Sequence, residues 1–204
     1  KTMQNEATPN QNLVKNSLEV KYANPWLNLR SKHQASQVNI LFIIIESLGN
    51  QQLHQQVSGI PITPFLDKIA TEQMNDLARE GLAEGKTSIE CLPALFGGIP
   101  SWLDTPFMLS NYSTNQLTGF PSICNQRGYE TYFIHGAKEG SMRFDALASS
   151  LGFKHQLYRD DLSTANAEAG SWGLHDHEVF KHISTKLNGH KKPFMMTFFT
   201  LSTH

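Results

Sequence analysis

The sequence predicts an α/β fold in which a mainly parallel sheet is flanked by helices. Apolar runs at residues 38–45, 129–134 and 194–201 have the length and composition of strands. Segments with apolar residues at helical spacing separate these runs, and several of them end at a glycine. Parallel strands need crossover connections, so the order strand, helix, strand favours a sheet wrapped by helices.

The first predicted strand opens the domain. The run from Val38 to Ile45 reads Val-Asn-Ile-Leu-Phe-Ile-Ile-Ile, which is β-branched and nearly continuous, as expected for a strand covered on both faces. Residues 1–37 are rich in Asn, Gln, Lys and Ser and predict a linker with a peripheral segment. We therefore place the domain at residues 38–204.

The helices are predicted from capping residues and apolar spacing. The first begins at Thr63-Pro64 and reaches Gly81, and the second begins near Thr87 and ends before Gly97-Gly98. Further helices are predicted at residues 117–126, 144–151 and 175–187.

Composition limits the classes of function. The chain has 204 residues, 39% of them hydrophobic, which is enough for the core of one α/β domain. Its net charge of −1 gives no basic surplus, so a nucleic-acid partner is not expected. No run approaches the roughly 20 apolar residues of a membrane span, which predicts a soluble chain. Cys91 and Cys124 match no zinc motif and are expected to be separate buried thiols, with one disulfide as the alternative.

Polar residues that follow the predicted strands are the first candidates for a site. Ligands of open α/β sheets bind at the carboxyl ends of the strands, where Glu46, His135 and His204 stand. A carboxylate directly after an apolar strand is costly unless it is solvated or bound to a cation. Glu46 is therefore either a loop residue or a metal ligand.

The segment Gly85-Lys86-Thr87-Ser88 opens the second predicted helix. Free N–H groups and the helix dipole at such an end favour an anion. A Walker loop is excluded, because Glu80 stands where that loop has its first glycine. Two interpretations of the hydroxyls remain. In the first, a hydroxyl of Thr87 or Ser88 caps the helix. In the second, one of these hydroxyls is a nucleophile activated by a divalent cation that Glu46 partly holds.

The loop after the second strand carries an imidazole, a hydroxyl and a guanidinium, on His135, Ser141 and Arg143. A guanidinium can bind a phosphate or sulfate through two parallel hydrogen bonds. A single surface arginine is more often only a solvated charge, so the role of Arg143 depends on the other features.

Several short motifs follow one another along the chain: Ile44-Ile45-Glu46-Ser47, Thr63-Pro64-Phe65-Leu66, Gly85-Lys86-Thr87-Ser88, Gly128-Tyr129-Glu130-Thr131, His135-Gly136, Trp172-Gly173-Leu174 and Thr200-Leu201-Ser202-Thr203-His204. In this order they resemble the extracellular domain of lipoteichoic acid synthases and their sulfatase-like relatives, in the alkaline phosphatase superfamily. The resemblance covers about residues 38–204 and implies the first part of such a fold, truncated at its C-terminus.

The resemblance implies a metal-dependent phosphoryl-group transferase similar to the phosphoglycerol transferases. Glu46 would bind Mn²⁺ or Mg²⁺, with Zn²⁺ as a further candidate, and Thr87 would be the nucleophile and touch the same metal. In some relatives the hydroxyl corresponds to Ser88, so the choice between the two stays open. His204 would contact the substrate phosphate, and an Asp-His pair beyond it would complete the metal site, so the fragment alone is expected to be inactive.

Arg143 is a further substrate ligand that the resemblance implies, beside His135. In the synthases this loop holds a Trp and an Arg shifted by one position, and Gly140-Ser141-Met142-Arg143 replaces them here. The usual sulfatase motif, Cys/Ser-x-Pro-x-Arg, is absent, because Leu92-Pro93-Ala94-Leu95 follows Cys91. Cleavage of sulfate esters in the usual way is therefore not expected.

The implied substrate is a phospholipid head group or another phosphate or sulfate ester. The alternatives are a phosphoesterase or sulfatase-like hydrolase, and a non-catalytic binding domain of the same fold. The resemblance and the polar N-terminal segment also imply that the parent protein has membrane spans before Lys1. This domain would then lie on the extracytoplasmic face of a bacterial inner or plasma membrane.

Overall fold

A computed structural model describes residues 37–71, 81–102 and 104–203. Within these ranges the strands and α-helices are, in chain order, β1 (Ile40–Ile44), β2 (Gln56–Val57), β3 (Ile60–Pro61), α1 (Pro64–Thr71), α2 (Ser88–Gly97), α3 (Phe120–Gln126), β4 (Glu130–His135), α4 (Phe144–Leu151), β5 (His155–Leu157), α5 (Arg159–Leu162), α6 (Asp176–Asn188) and β6 (Phe194–Phe199). No helix in these ranges has the length and apolar character needed to cross a membrane.

The main sheet has the strand order β1-β6-β4-β5, and all its neighbouring strands are parallel. A separate antiparallel pair joins β2 to β3. In the main sheet, Ile44 and His135 both pair with Phe199, so β1, β4 and β6 end at the same level. The predicted mainly parallel α/β fold is confirmed, and the segments after these three strands meet at one edge.

Helices cover both faces of the sheet, since β6 is buried along its whole length. On one face, Phe133 and Phe199 pack in a cluster with Leu92, Phe96, Phe144 and Leu147. On the other face, Ile134, Met196 and Phe198 pack in a cluster with Leu174, Val179 and Ile183. Side chains that alternate along β4 and β6 therefore enter two separate cores, as expected when crossover helices lie on both sides.

The expectation that both faces of the first strand are covered is wrong for the described part of the chain. Leu41 and Ile43 are 42% and 44% exposed, whereas Phe42 packs edge-on against the rings of Phe96 and Phe120. The reason is that β1 is the terminal strand in the sheet order and pairs there with β6 alone. A long apolar run does not distinguish this position from a central one.

Several predicted boundaries shift. α3 begins at Phe120 and not at Leu117, because the Leu117 N–H is held by the Ser150 carbonyl oxygen at 2.8 Å. β6 ends at Phe199 and not at Leu201. The predicted extension of α1 to Gly81 includes residues 72–80, which lie outside the described ranges. The short elements β5 and α5 were not predicted, because they are too short to show a periodic pattern.

At the opposite end of the sheet, Glu130 begins β4 and carries a small ion-pair network. Its Oε2 lies 2.9 Å from His155 Nε2, and its Oε1 lies 3.3 Å from Lys154 Nζ and 3.6 Å from Lys192 Nζ. The hydrogen bond from His155, with further help from the two lysines, lowers the pKa of Glu130 to about 2. This carboxylate therefore favours the folded state wherever it is ionised.

Replacing Glu130 by glutamine is expected to destabilise the protein by about 1 kcal/mol at pH 7, the scale of a partly exposed ion pair. A depressed folded-state pKa gives stability that is complete above the unfolded value of 4.5 and is lost as the pH falls towards about 2. The difference in the free energy of unfolding between wild type and variant, measured by urea denaturation, should therefore shrink as the pH falls from 4.5 to about 2. Glu139→Gln, at an exposed position, is the control. A difference that stays constant down to pH 2 would contradict the ion-pair account.

Candidate active site

The position of Glu46 is fixed by the segment that follows β6. The Glu46 N–H donates to Thr200 Oγ1 at 2.9 Å, and its carbonyl oxygen accepts a hydrogen bond from the Thr203 hydroxyl. The Thr200 N–H in turn donates to the Ile44 carbonyl oxygen at 3.0 Å. These bonds use only the backbone of Glu46, so its carboxylate is left to interact with other groups at the sheet edge.

The Glu46 carboxylate meets the start of α2. Ser88, the first residue of that helix, donates its hydroxyl hydrogen to Glu46 Oε2 at 2.8 Å. The other carboxylate oxygen accepts a longer hydrogen bond, 3.3 Å, from the hydroxyl of Ser47. Of the two predicted candidates for a nucleophile, Ser88 is the one that the structure brings to this carboxylate.

Thr87 is the N-cap of α2, and its hydroxyl points to Glu90. Glu90 Oε2 accepts the Thr87 hydroxyl at 3.0 Å and the backbone N–H groups of Thr87 at 2.9 Å and Lys86 at 2.8 Å. These hydrogen bonds, with that from the Thr87 side chain the largest cause, lower the pKa of Glu90. A side chain at Gly85 would place its Cβ 2.3 Å from the Glu90 Cβ, so only glycine permits this close turn.

The predicted anion site at this helix start is consequently occupied in part by Glu90. The N–H groups of Lys86 and Thr87 are both bonded to its carboxylate. An incoming phosphate oxygen would have to displace Glu90 or use other donors. Thr87 thus stands at the N-cap with its hydroxyl bonded to Glu90, and the Ser88 hydroxyl is bonded to Glu46; which of the two is a nucleophile stays a prediction.

His135 lies at the end of β4 and is 2% exposed. Its Nδ1 is 3.0 Å from the carbonyl oxygen of Phe199, which can only accept, so Nδ1 carries the hydrogen. Burial lowers the pKa of His135, although the bond to Phe199 and the charges of Asp176 and Glu46 oppose that effect. The ring is therefore favoured in its neutral form, in which Nε2 is an acceptor.

Two cavities meet at Glu46 and Ser88. The smaller one has a volume of about 140 Å³, and the larger one has about 660 Å³. Both are lined by Glu46, Ser88, Met142 and Phe199. The smaller is completed by His135, Ala137, Ser141, Phe144, Trp172 and Leu201. The larger is completed by residues that include Ser47, Gly85, Lys86, Thr87 and Cys91.

The loop after β4 turns Met142, and not Arg143, towards these cavities. Both residues have left-handed backbone conformations, with φ of 54° and 60°. The Arg143 Nη2 donates to Ser113 Oγ at 3.4 Å, and Arg143 lines neither cavity. The role predicted for Arg143 thus stays a prediction, and His204 lies outside the described residues.

Asp176, the first residue of α6, is a part of this region that the sequence analysis missed. Its carboxylate accepts the backbone N–H groups of Leu201 at 2.7 Å and Ser202 at 2.9 Å. Its own N–H donates to Ser202 Oγ at 2.8 Å. Asp176 therefore holds the segment after β6 that also fixes Glu46. The available signal was an acidic residue in the first turn of a predicted helix.

The donors at the site fit a divalent cation in part. A carboxylate oxygen of Glu46 and the hydroxyl oxygen of Ser88 are 2.8 Å apart, and oxygens of this kind bind Mg²⁺ and Mn²⁺. Within the described ranges, no group of three or more His, Cys, Asp or Glu residues could hold a metal ion. The described residues thus include two candidate ligands and no complete metal site.

The chain is similar to known proteins over most of its length. The sulfatase family model matches residues 38–204. Lipoteichoic acid synthase-like YvgJ from Bacillus subtilis is 25% identical over 192 residues, which cover 94% of this chain and 30% of that protein. Lipoteichoic acid synthase from Staphylococcus saprophyticus is 28% identical over 180 residues, 83% of this chain and 27% of that protein. The chain therefore spans less than a third of the length of these relatives.

Solved structures share the fold. A protein of the alkaline phosphatase superfamily from Vibrio parahaemolyticus matches with a TM-score of 0.74 at 24% identity, over 84% of this chain and 42% of that one. The lipoteichoic acid synthase LtaP from Listeria monocytogenes matches with a TM-score of 0.71 at 15% identity, over 83% of this chain and 42% of that one. The C-terminal periplasmic domain of EcEptC from Escherichia coli, in complex with Zn, matches with a TM-score of 0.59 at 16% identity. The match covers 83% of this chain and 45% of that one.

Proposed function

Because the chain belongs to the sulfatase family, whose model matches residues 38–204, we propose that it carries the nucleophile of a phosphoryl-group transferase. The observation that supports this most directly is the 2.8 Å hydrogen bond from the Ser88 hydroxyl to Glu46. The pair stands at the carboxyl edge of a parallel sheet, where such folds bind their ligands. The resemblance to lipoteichoic acid synthases, which relatives of that name support, implies a phospholipid head group as the group that is transferred.

The proposed nucleophile is Ser88. Its oxygen faces a carboxylate and lines both cavities, whereas the Thr87 hydroxyl is engaged with Glu90. The family resemblance pointed first to Thr87, with Ser88 as the open alternative. The distance to Glu46 favours the alternative, because a nucleophile must be oriented by a neighbouring base or cation.

The proposed reaction has two balanced steps. In the first, the Ser88 oxygen attacks phosphorus, the bond from phosphorus to the leaving alcohol breaks, and the hydroxyl proton ends on that alcohol. In the second, an acceptor hydroxyl attacks the same phosphorus and breaks its bond to Ser88, whose oxygen recovers a proton from the acceptor. The group on phosphorus is thereby transferred without a net change in charge or protons.

Glu46 and Ser88 would hold a divalent cation, and Thr87 is a further candidate ligand that the resemblance implies. Mn²⁺ or Mg²⁺ suits the oxygen donors, and the zinc complex of the EcEptC domain makes Zn²⁺ a further candidate. A bound cation lowers the pKa of a coordinated hydroxyl and neutralises charge on phosphate oxygens. The carboxylate of Glu46 orients the Ser88 oxygen through the hydrogen bond described above.

Neutral His135 and the segment held by Asp176 would complete the contacts to substrate. With its Nδ1 bonded to Phe199, His135 keeps Nε2 as an acceptor for a substrate hydroxyl. Asp176 is a positioning residue, because it acts through the backbone of Leu201 and Ser202. The roles of Arg143, whose Nη2 donates to Ser113, and of His204 are proposed from the resemblance alone.

The proposed location is the extracytoplasmic face of a bacterial inner or plasma membrane, with the parent protein anchored there. The EcEptC structure is that of a periplasmic domain, which favours this location. Fractionation of cells with the full-length protein tests it. Recovery of the protein in the cytosol alone would contradict it.

The activity is tested on the full-length protein with phosphatidylglycerol-type lipid, a soluble phosphodiester and an aryl sulfate, each with added Mn²⁺. We expect release of diacylglycerol and transfer of the head group to an alcohol acceptor. Release of free head-group phosphate without transfer would instead indicate a hydrolase. Cleavage of the sulfate alone would overturn the proposed chemistry, and no turnover of any substrate would favour a binding domain.

A further inference from the structure

We propose that a groove along α2 binds an acyl chain of the lipid whose head group is transferred. The groove has a volume of about 720 Å³. It is lined by α2, by the segment 82–84 that precedes the start of this helix, and by Pro100 and Trp102, which follow its end. The proposal rests on the proposed function, because it takes the substrate to be a lipid, and it adds a site for the apolar part of that lipid.

The groove adjoins the larger of the two cavities at Ser88. Four residues line both of them: Ile44, Ala83, Cys91 and Leu92. Within α2, Ser88, Cys91, Leu92 and Leu95 are three or four residues apart, so they lie along one face of the helix. With a rise of about 1.5 Å per residue, this face extends roughly 10 Å from Ser88 to Leu95. A lipid whose phosphorus is at Ser88 can therefore extend a chain along the same face.

The lining of the groove is apolar. Among the described residues that line it, Glu84 alone is charged. Leu82, Leu95 and Trp102 are 97%, 50% and 84% exposed, so packing within the described chain leaves much of their apolar surface in water. An alkyl chain would remove that surface from water, and each methylene buried raises affinity by a factor of roughly four. The volume lies within the range of about 300–1,000 Å³ that is usual for ligand sites.

Hydrogen bonds hold the groove at both ends of α2. The Cys91 thiol donates to the Gly85 carbonyl oxygen at 3.4 Å, which ties the segment before the helix to the helix itself. At the other end, Gly98 has a φ of 64°, and its N–H donates to the Ala94 carbonyl oxygen at 3.0 Å. This left-handed cap ends the helix and turns the chain towards Pro100. The walls are therefore set without a ligand, which lowers the entropic cost of binding one.

An acyl chain in the groove belongs to the leaving alcohol. In the proposed first step the bond from phosphorus to a diacylglycerol oxygen breaks, and the acyl chains depart with that alcohol. The groove therefore selects substrates by their leaving group and has no contact with the transferred group. Binding energy from such a remote part of a substrate can be used to orient the reacting phosphorus. Acyl length should thus change the rate, although the bond that breaks is the same.

The first test compares two phosphatidylglycerols that differ only in acyl length, a dioleoyl lipid in mixed micelles and a dihexanoyl lipid. For the full-length protein we expect Trp102→Ala and Leu95→Ala each to lower kcat/KM about tenfold for the dioleoyl lipid and no more than about twofold for the dihexanoyl lipid. Tyr112→Ala is the matched control, because Tyr112 is 61% exposed and lines none of the three cavities. An equal loss for both lipids, or no loss for either, would overturn the groove.

A labelling experiment separates this proposal from the proposed reaction. The full-length Ser88→Ala variant is irradiated with a phosphatidylglycerol that carries a diazirine in one acyl chain, and mass spectrometry locates the adducts. We expect them on residues that line the groove, and about tenfold fewer when Trp102→Ala is added. If the wild-type protein turns over no lipid but these adducts form, the reaction is wrong and the groove stands. If the groove stays unlabelled, another part of the parent protein covers it, and the proposal is wrong whatever the reaction.

Discussion

Replacing Ser88 by alanine in the full-length protein is expected to lower group transfer by about 10⁴-fold or more, because the attacking oxygen is lost. The fold should persist, since Ser88 contributes one hydrogen bond to Glu46 at the surface of the site. Transfer is measured with the lipid substrate, and thermal unfolding is measured in parallel. Mass spectrometry of the quenched wild-type reaction should place the covalent adduct on residue 88.

Thr87→Ala is the matched control, at the neighbouring hydroxyl. It removes the hydrogen bond from the N-cap hydroxyl to Glu90 and leaves the backbone N–H bond to Glu90 in place, which should cost about 1 kcal/mol of stability. Its effect on turnover should be far smaller than that of Ser88→Ala. The reverse pattern, an inactive Thr87→Ala with an active Ser88→Ala, would make Thr87 the nucleophile. Full activity in both variants would exclude a covalent route through either hydroxyl.

The sequence predicted the region of the site because apolar strands stop abruptly at polar residues. The run before Glu46 and the run before His135 both became strands of one parallel sheet, and the pairing of each with Phe199 brings their ends together. That outcome follows from the order of elements, since parallel strands joined by crossovers present their carboxyl ends at the same edge.

The choice between Thr87 and Ser88 could not be made from the sequence in the same way. The two hydroxyls are adjacent, and a shift of one residue in the helix start exchanges their directions. Thr87 has the extended backbone of an N-cap, with φ of −133° and ψ of 159°, and faces Glu90. Thr-x-x-Glu is the pattern of a capping box with Thr87 as the cap, but that pattern does not place the neighbouring Ser88 hydroxyl, which reaches Glu46 only through the tertiary fold.

The loop from Gly140 to Arg143 shows a different kind of limit. Left-handed conformations at Met142 and Arg143 set which of the two side chains enters the cavities, and neither residue type favours that conformation. Likewise, the contact of Asp176 with Leu201 and Ser202 joins segments far apart in the chain. Local pattern carries no information on such tertiary contacts.

Replacing Glu46 by glutamine is expected to have the second large effect, at least about 100-fold on transfer and a similar loss of affinity for Mn²⁺. Glutamine keeps the size of the side chain and one acceptor oxygen but removes the negative charge. Stability should change little, because the bonds that hold Glu46 to Thr200 and Thr203 are made by its backbone. Calorimetric titration with Mn²⁺, Mg²⁺ and Zn²⁺ gives affinity, and urea denaturation gives stability.

Asp160→Asn is the control for charge alone, since the side chain of Asp160 is 80% exposed and pairs with the adjacent Arg159. It should alter neither metal affinity nor transfer. If Glu46→Gln binds Mn²⁺ as tightly as wild type but transfers slowly, the carboxylate orients Ser88 and is not a metal ligand. If it loses neither property, the bond between Glu46 and Ser88 has no part in the reaction, and the assignment of Ser88 loses its main support.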